Sequence, residues 1–175
     1  MPAKFTFASY WMKSWLLIHQ SHNLLERIEN NVFAEVGLTA RKHSILLAIK
    51  NLKSPVLVKD VAHWLDRSPN SISMIVDSME KEGLIRRLRD VPDRREVRLT
   101  MTDKGADMFK SANNLTSSLL HSIFGEVPEE DLKKLAATLE KIRFTALDFL
   151  DLDLSHEELH VIQHEKTKNG EYAKG

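Results

Sequence analysis

Residues Leu84–Gly105 read LIRRLRDVPDRREVRLTMTDKG. An apolar and basic segment opens the stretch, and an arginine-rich turn follows Pro92. Val97, Leu99 and Met101 then alternate with Arg98 and Thr100, the period of a half-buried strand. The stretch predicts two short strands joined by an arginine-tipped turn. Thr102 is placed to cap a helix over about 103–124, with Phe109, Ala112, Leu115 and Ile123 among its apolar positions.

Directly upstream the pattern is that of two helices joined by a turn. Val58–Leu65 forms a short helix with Val61, Ala62 and Leu65 facing inward. Ser68-Pro69 is a helix start, because the hydroxyl can accept from a free N–H and proline suits the first turn. That helix runs from Pro69 to about Glu82, buries Ile72, Val76 and Met79, and stops at Gly83. A helix-turn-helix followed by a strand hairpin is the order of a winged helix, a device for docking on duplex DNA.

Farther out lie longer helices. Over about 8–35, Trp11, Trp15, Ile18, His22 and Leu25 step by four and three along one face, and Leu17, Leu24 and Ile28 widen it. Gly37 ends that helix, and Thr39 caps the next, about 40–52, whose core is Ile45, Leu46, Ile49 and Leu52. Pro55 marks the following turn. Pro128 starts a last helix, about 128–151, in which Leu132, Leu135, Leu139, Ile142, Ala146 and Phe149 recur at three and four. So narrow a seam suits a partner helix. With the N-terminal seam it predicts a homodimer built from the chain's two ends, with Trp11, Trp15, Ile18, Leu132, Leu135, Leu139, Ile142 and Phe149 at the interface. The expected fold is mainly α with a small two- or three-stranded β wing. A single domain over 8–151 comprises a winged helix-turn-helix (39–104) and a helical dimerisation region (8–38 plus 105–151), and 152–175 is a polar tail.

Bulk properties narrow the function. Formal net charge is +0, but seven basic residues stand against four acidic ones from Lys81 to Arg98, and eleven acidic against four Lys or Arg from Glu126 to Glu165. Phosphates feel the local basic field, since charge is screened beyond roughly 8–10 Å. No run approaches the roughly 18 apolar residues of a membrane span, and the start lacks the pattern of a secretory signal, so a cytoplasmic location without membrane contact is expected. Absence of cysteine removes disulfides and thiolate chemistry. No phosphate-cradling glycine loop, G-x-S-x-G turn or H-E-x-x-H helix is present, so no enzymatic activity is expected.

DRREVRLTMTDKG, Asp93–Gly105, resembles the Asp-Arg-Arg, Val-x-Leu-Thr and Gly signature of the multiple antibiotic resistance regulator (MarR) family. VKDVAHWLDRSPNSISMIVDSMEKEGLIRR resembles its reading-helix segment, and similarity of pattern covers about 8–151. The resemblance implies a homodimer with each reading helix in a major groove and each wing on an adjacent minor groove or backbone. It also implies a repressor of transcription, often released by a small anionic or phenolic effector bound between the dimerisation and DNA-binding regions; no other cofactor is implied. Three departures stand out. The wing tip is two residues shorter than usual. Asp66-Arg67 replaces the usual glycine-plus-apolar turn, which predicts a less regular turn. The reading helix has no Lys or Arg before Lys81, and Asp77 sits where it would repel a phosphate.

Side-chain chemistry picks out the contacts. Arg94 at the wing tip suits a narrow minor groove, whose negative potential is deepest. Asp93 is expected to shape the turn and hold Arg95, which is itself an expected DNA contact. Arg86, Arg87, Arg89 and Arg98 are strand residues suited to phosphates. On the reading helix Asn70, Ser71, Ser73 and Met74 lie opposite the core face: asparagine pairs with adenine, methionine touches a thymine methyl, and Ser68 and Ser71 serve phosphate or the helix cap. Without a reading-helix arginine for guanine, an A·T-rich site is expected. Trp15, His19 and His22 are candidates for a ligand cavity, with ordinary packing at the interface the favoured reading. His156, His160 and His164, spaced by four, would share a helix face suited to zinc, but a polar tail with incidental histidines is the expected reading and no metal is assigned. A weakly selective architectural or protein-interaction winged helix without ligand response is the competing function.

Overall fold

The computed structural model describes residues 9–88 and 98–150. Six helices and three strands follow one another in these residues: α1 (Tyr10–Ala34), α2 (Ala40–Asn51), β1 (Val56–Leu57), α3 (Val58–Trp64), α4 (Pro69–Lys81), β2 (Ile85–Leu88), β3 (Arg98–Met101), α5 (Asp103–Phe124) and α6 (Glu129–Phe149). The expected fold, mainly helical with a small β wing, is the one found.

Helix starts follow the short hydroxyl side chains. Thr39 accepts from Lys42 N–H at 3.3 Å, Ser68 from Ser71 N–H at 3.3 Å and Thr102 from Gly105 N–H at 3.0 Å. Each satisfies a first-turn donor that has no partner within its helix. Gly37 and Gly83, at φ of 72° and 73°, terminate α1 and α4 in a conformation that costs glycine little.

The sheet is antiparallel in the order β1-β3-β2, with Val56 opposite Leu99 and Ile85 opposite Met101. Strand β1 escaped the sequence reading, because two residues carry no alternation to detect. The core lies between the sheet, α2, α3 and α4: Ile45, Leu46, Val61, Ile72, Val76 and Met79 are almost completely buried. On α4 the buried Ile72, Val76 and Met79 share a face, so the opposite face, with Asn70 and Met74, points outward.

Helices α1 and α6 differ from the rest. Each buries a single residue, Phe33 and Leu147, and displays much of its apolar seam to solvent. Helix α5 reaches the core through Phe109 and Ala112.

One polar side chain lies in this core. His43 on α2 stands 4.4 Å from the Phe33 ring and 5.5 Å from the Phe109 ring, with Nε2 3.1 Å from Asn113 Oδ1. Burial pushes its pKa below the ordinary 6.5, and the Asn113 hydrogen bond opposes this only in part. Between its folded pKa and about 6.5 the unfolded chain therefore binds more protons. Stability is fully present above about pH 6.5 and declines as pH falls through this window. Denaturant titrations from neutral to acid pH should show that decline, and it should be shallower in His43→Gln. Equal slopes in the two proteins would contradict it.

Candidate nucleic-acid interface

The outer face of α4 carries the exposed Asn70 and Met74. Ser68, at the N-cap, uses its side-chain oxygen on Ser71 N–H, and Ser73 is half-buried. Ser71 faces sideways toward α1 and α2 and lines a cavity described below. The contacts expected of this helix thus divide. Asn70 and Met74 are free to meet a groove, while Ser68 and Ser71 have local surroundings of their own.

Asp77 has a neighbour that sequence spacing does not reveal. Arg87 Nη1 forms an ion pair with Asp77 Oδ1 and, at 3.1 Å, another with Glu80 Oε2, while Arg87 N–H donates to Glu80 Oε1 at 3.1 Å. The guanidinium is largely covered and ties β2 to α4. Asp77 is therefore not the bare negative charge that its place on α4 suggested. Opposite charge a few ångströms away removes most of its field. Arg86, paired with Thr100 across the sheet, is exposed, and Arg98 is half-buried with its Nε enclosed and without a hydrogen-bond partner. Arg89, Asp93, Arg94 and Arg95 lie outside the described residues, as do His156, His160 and His164.

The turn between α3 and α4 is more regular than its Asp66-Arg67 sequence led one to expect. Asp66 N–H donates to His63 O at 3.1 Å and Arg67 N–H to Ala62 O at 2.8 Å, the paired bonds of a Schellman ending. Asp66 occupies the left-handed position at φ 51°, a region aspartate tolerates better than most side chains. The far end of α4 is stapled equally firmly. Lys42 Nζ meets Glu82 Oε1 and Oε2 at 2.6 and 2.7 Å, and Lys104 Nζ donates to Glu82 O at 2.8 Å. Hydrogen bonding to Lys42 holds the Glu82 carboxyl below its ordinary pKa.

Between α1, α2 and the start of α4 lies a cavity of about 330 Å3. Leu25, Ile45, Leu65, Ile72 and Ile75 supply apolar wall; His22, Arg41, Arg67, Glu26 and Glu29 supply polar groups. Arg41 Nε is paired with Glu26 at 3.2 Å. Burial, then the nearby Glu26, raise the Glu29 pKa, and His22 partly offsets this. Of Trp15, His19 and His22, His22 lines this cavity. Trp15 and His19 lie outside the lining and pack on each other, ring centroids 4.4 Å apart. Helical period alone placed the three together; which turn of α1 faces α2 depends on where the helices cross. No group of side chains that could hold a metal ion is found among the described residues, and no helix there is long and apolar enough to cross a membrane.

Comparison with known proteins agrees with this geometry. The MarR family model matches residues 36–96. The HTH-type transcriptional regulator MgrA of Staphylococcus aureus is 28% identical over 113 residues, covering 65% of this chain and 75% of that protein. The HTH-type transcriptional repressor MdtR of Bacillus subtilis is 24% identical over 106 residues, covering 61% and 68%. Among solved structures, an organohalide-sensing transcriptional regulator in its 2,4-dichlorophenol-bound form superposes with a TM-score of 0.76 at 26% identity, covering 89% of this chain and 90% of that one.

Proposed function

This chain belongs to the MarR family of winged-helix transcriptional regulators, which are not enzymes, and from that premise we propose that it acts as a homodimeric repressor on a palindromic operator. Two copies pair through the seams of α1 and α6, set their α4 helices in successive major grooves, and rest their wings on adjacent minor groove or backbone. The observation that carries this reading is the pair of unpartnered apolar faces at the chain's ends. Trp11 and Trp15 on α1 are 88% and 64% exposed, and Leu135, Leu139, Ile142 and Phe149 on α6 are 48%, 41%, 45% and 91% exposed. Apolar area on that scale marks an interaction surface. Its location on both flanks of one winged helix suits a second copy of the same chain, acting in the cytoplasm beside its DNA.

The α1–α2–α4 cavity is the place for a small anionic or phenolic effector. Arg67 and the Glu26-paired Arg41 set guanidinium donors against the carboxyls of Glu26 and Glu29, His22 adds a ring nitrogen, and the leucine and isoleucine wall takes an aromatic ring. A ligand there touches Ser71, Ile72 and Ile75 of α4 directly, so it can shift the reading helix.

Sedimentation of the purified chain, followed by selection of bound genomic fragments, tests the proposal. A dimer that recovers one A·T-rich palindrome upstream of a gene is expected. A monomer, or indifferent recovery of fragments, would sink it. Recovery by a dimer of many unrelated fragments would instead favour the ligand-blind architectural role, which the absence of Lys or Arg on α4 before Lys81 speaks for. On the selected operator Arg94→Ala should weaken binding by about 1–3 kcal/mol, the worth of a good groove contact. Mobility shifts with unchanged affinity would remove Arg94 from the interface.

A further inference from the structure

Helices α3 and α4 end in the same hydrogen-bonded motif. At the end of α4, Gly83 N–H donates to Glu80 O at 3.0 Å and Leu84 N–H to Met79 O at 2.9 Å, with glycine in the left-handed position. At the end of α3 the matching bonds place Asp66 there. It is the only non-glycine residue with positive φ among the described residues. Glycine would hold this position with less backbone strain. The aspartate side chain is therefore the part of the turn that needs a reason.

Its carboxylate reaches out of the helix-turn-helix. Arg143 of α6 donates from Nε to Asp66 Oδ2 at 2.7 Å and from Nη2 to Oδ1 at 2.9 Å. A two-pronged guanidinium–carboxylate pair fixes an angle as well as a distance. About a third of each side chain remains exposed, so the pair contributes little to overall stability. On α6 Arg143 directly follows Ile142 of the exposed seam, and α6 buries only Leu147. At the other end, Asp66 stands three residues before Pro69, the first residue of α4. Ser68 closes the intervening turn by capping α4. A tilt of α6 at the seam is thus delivered to the end of the reading helix that carries Asn70.

We infer that the Arg143–Asp66 pair fixes the angle between the seam helix and the reading helix, and so determines which half-site spacing the dimer accepts. The inference rests on the homodimer proposed above. Both are positioning residues; neither needs to touch DNA.

The test uses the full chain and its selected palindrome, resynthesised with one base pair added or removed between the half-sites, together with a single half-site duplex. One base pair changes both separation and rotation, since half-sites lie one helical turn of roughly 10–10.5 base pairs apart. The variants are Asp66→Gly, Arg143→Gln, Arg143→Lys and the double Asp66→Gly/Arg143→Gln. Wild type is expected to prefer its own spacing, and each variant to lose that preference by about fivefold or more. Half-site affinity and dimerisation should be unchanged. Arg143→Lys should not rescue, because an ammonium keeps the charge and loses the fork. The double variant should match either single one, the sign of a shared path. Asp66→Gly should melt at or above the wild-type temperature while losing selectivity, a divergence that a merely structural role would not produce. Spacing preference retained in the variants of a dimeric protein overturns this inference alone. So does a preference lost only in step with melting temperature, or additive single effects. A monomeric wild type overturns the homodimer and the inference together.

Discussion

Affinity for the selected operator is expected to fall about 10³–10⁵-fold as salt rises from roughly 50 to 200 mM. The premise is that a dimer neutralises roughly 6–10 phosphates, or three to five per copy, and releases the counterions they held. The chain's formal net charge of +0 argues for no such response, so the experiment separates local from global charge. In the folded chain Arg87 is consumed by Asp77 and Glu80, which removes both a cation and an anion from the face proposed to meet DNA. Among the described residues the exposed Arg86 remains on each copy, and the sequence adds Arg89, Arg94 and Arg95 as expected phosphate partners. A steep logarithmic dependence of affinity on salt supports phosphate docking by the wing. A flat one would rule it out, whatever affinity is measured at low salt.

Gly105→Ala is expected to destabilise the fold by about 3 kcal/mol, at the upper end of what overpacking costs. Gly105 lies in the first turn of α5 and is buried against the turn that follows the reading helix. Thr102 N–H donates to Leu84 O at 3.1 Å, and the Thr102 hydroxyl donates to Gly83 O at 2.7 Å while accepting from Gly105 N–H. These bonds draw the α5 backbone so close to Leu84 that a Cβ at Gly105 would overlap its carbonyl oxygen, with Met101 Cγ at 3.0 Å on another side. The obstacle is backbone held in a turn, which cannot swing aside as a flexible side chain would. Melting should drop by about 6–12 °C for a domain of this size. Gly83→Ala is the internal comparison. Nothing lies within 4 Å of its Cβ, so only the strain of φ 73° is felt, about 1 kcal/mol. If Gly105→Ala melts within about 2 °C of wild type, the close approach is not the reason for glycine there.

The glycine that closes the motif Asp93–Gly105 was legible as part of a pattern, but its physical purpose was not. The same division runs through the molecule. Apolar period located α1, α2, α4, α5 and α6. Thr39, Ser68 and Thr102 marked their starts, and Gly37 and Gly83 marked two of their ends, because capping and left-handed turns are settled within a few residues of chain. The inner face of α4 was readable for the same reason, and with it the outward direction of Asn70 and Met74.

Charge pairing across the fold was not readable. Asp77 looked repulsive and proved to be matched by Arg87. Asp66 looked like an irregular turn residue and proved to be held by Arg143, 77 positions along the chain. Trp15, His19 and His22 share a helix face by period, and of the three His22 lines the cavity between α1, α2 and α4. The linear sequence determined by itself the helices, their limits and their apolar faces, since those depend on neighbours three or four residues away. Tertiary structure alone decided which charges cancel and which helix turns enclose space, because both depend on how separate helices cross, and no local spacing carries that angle.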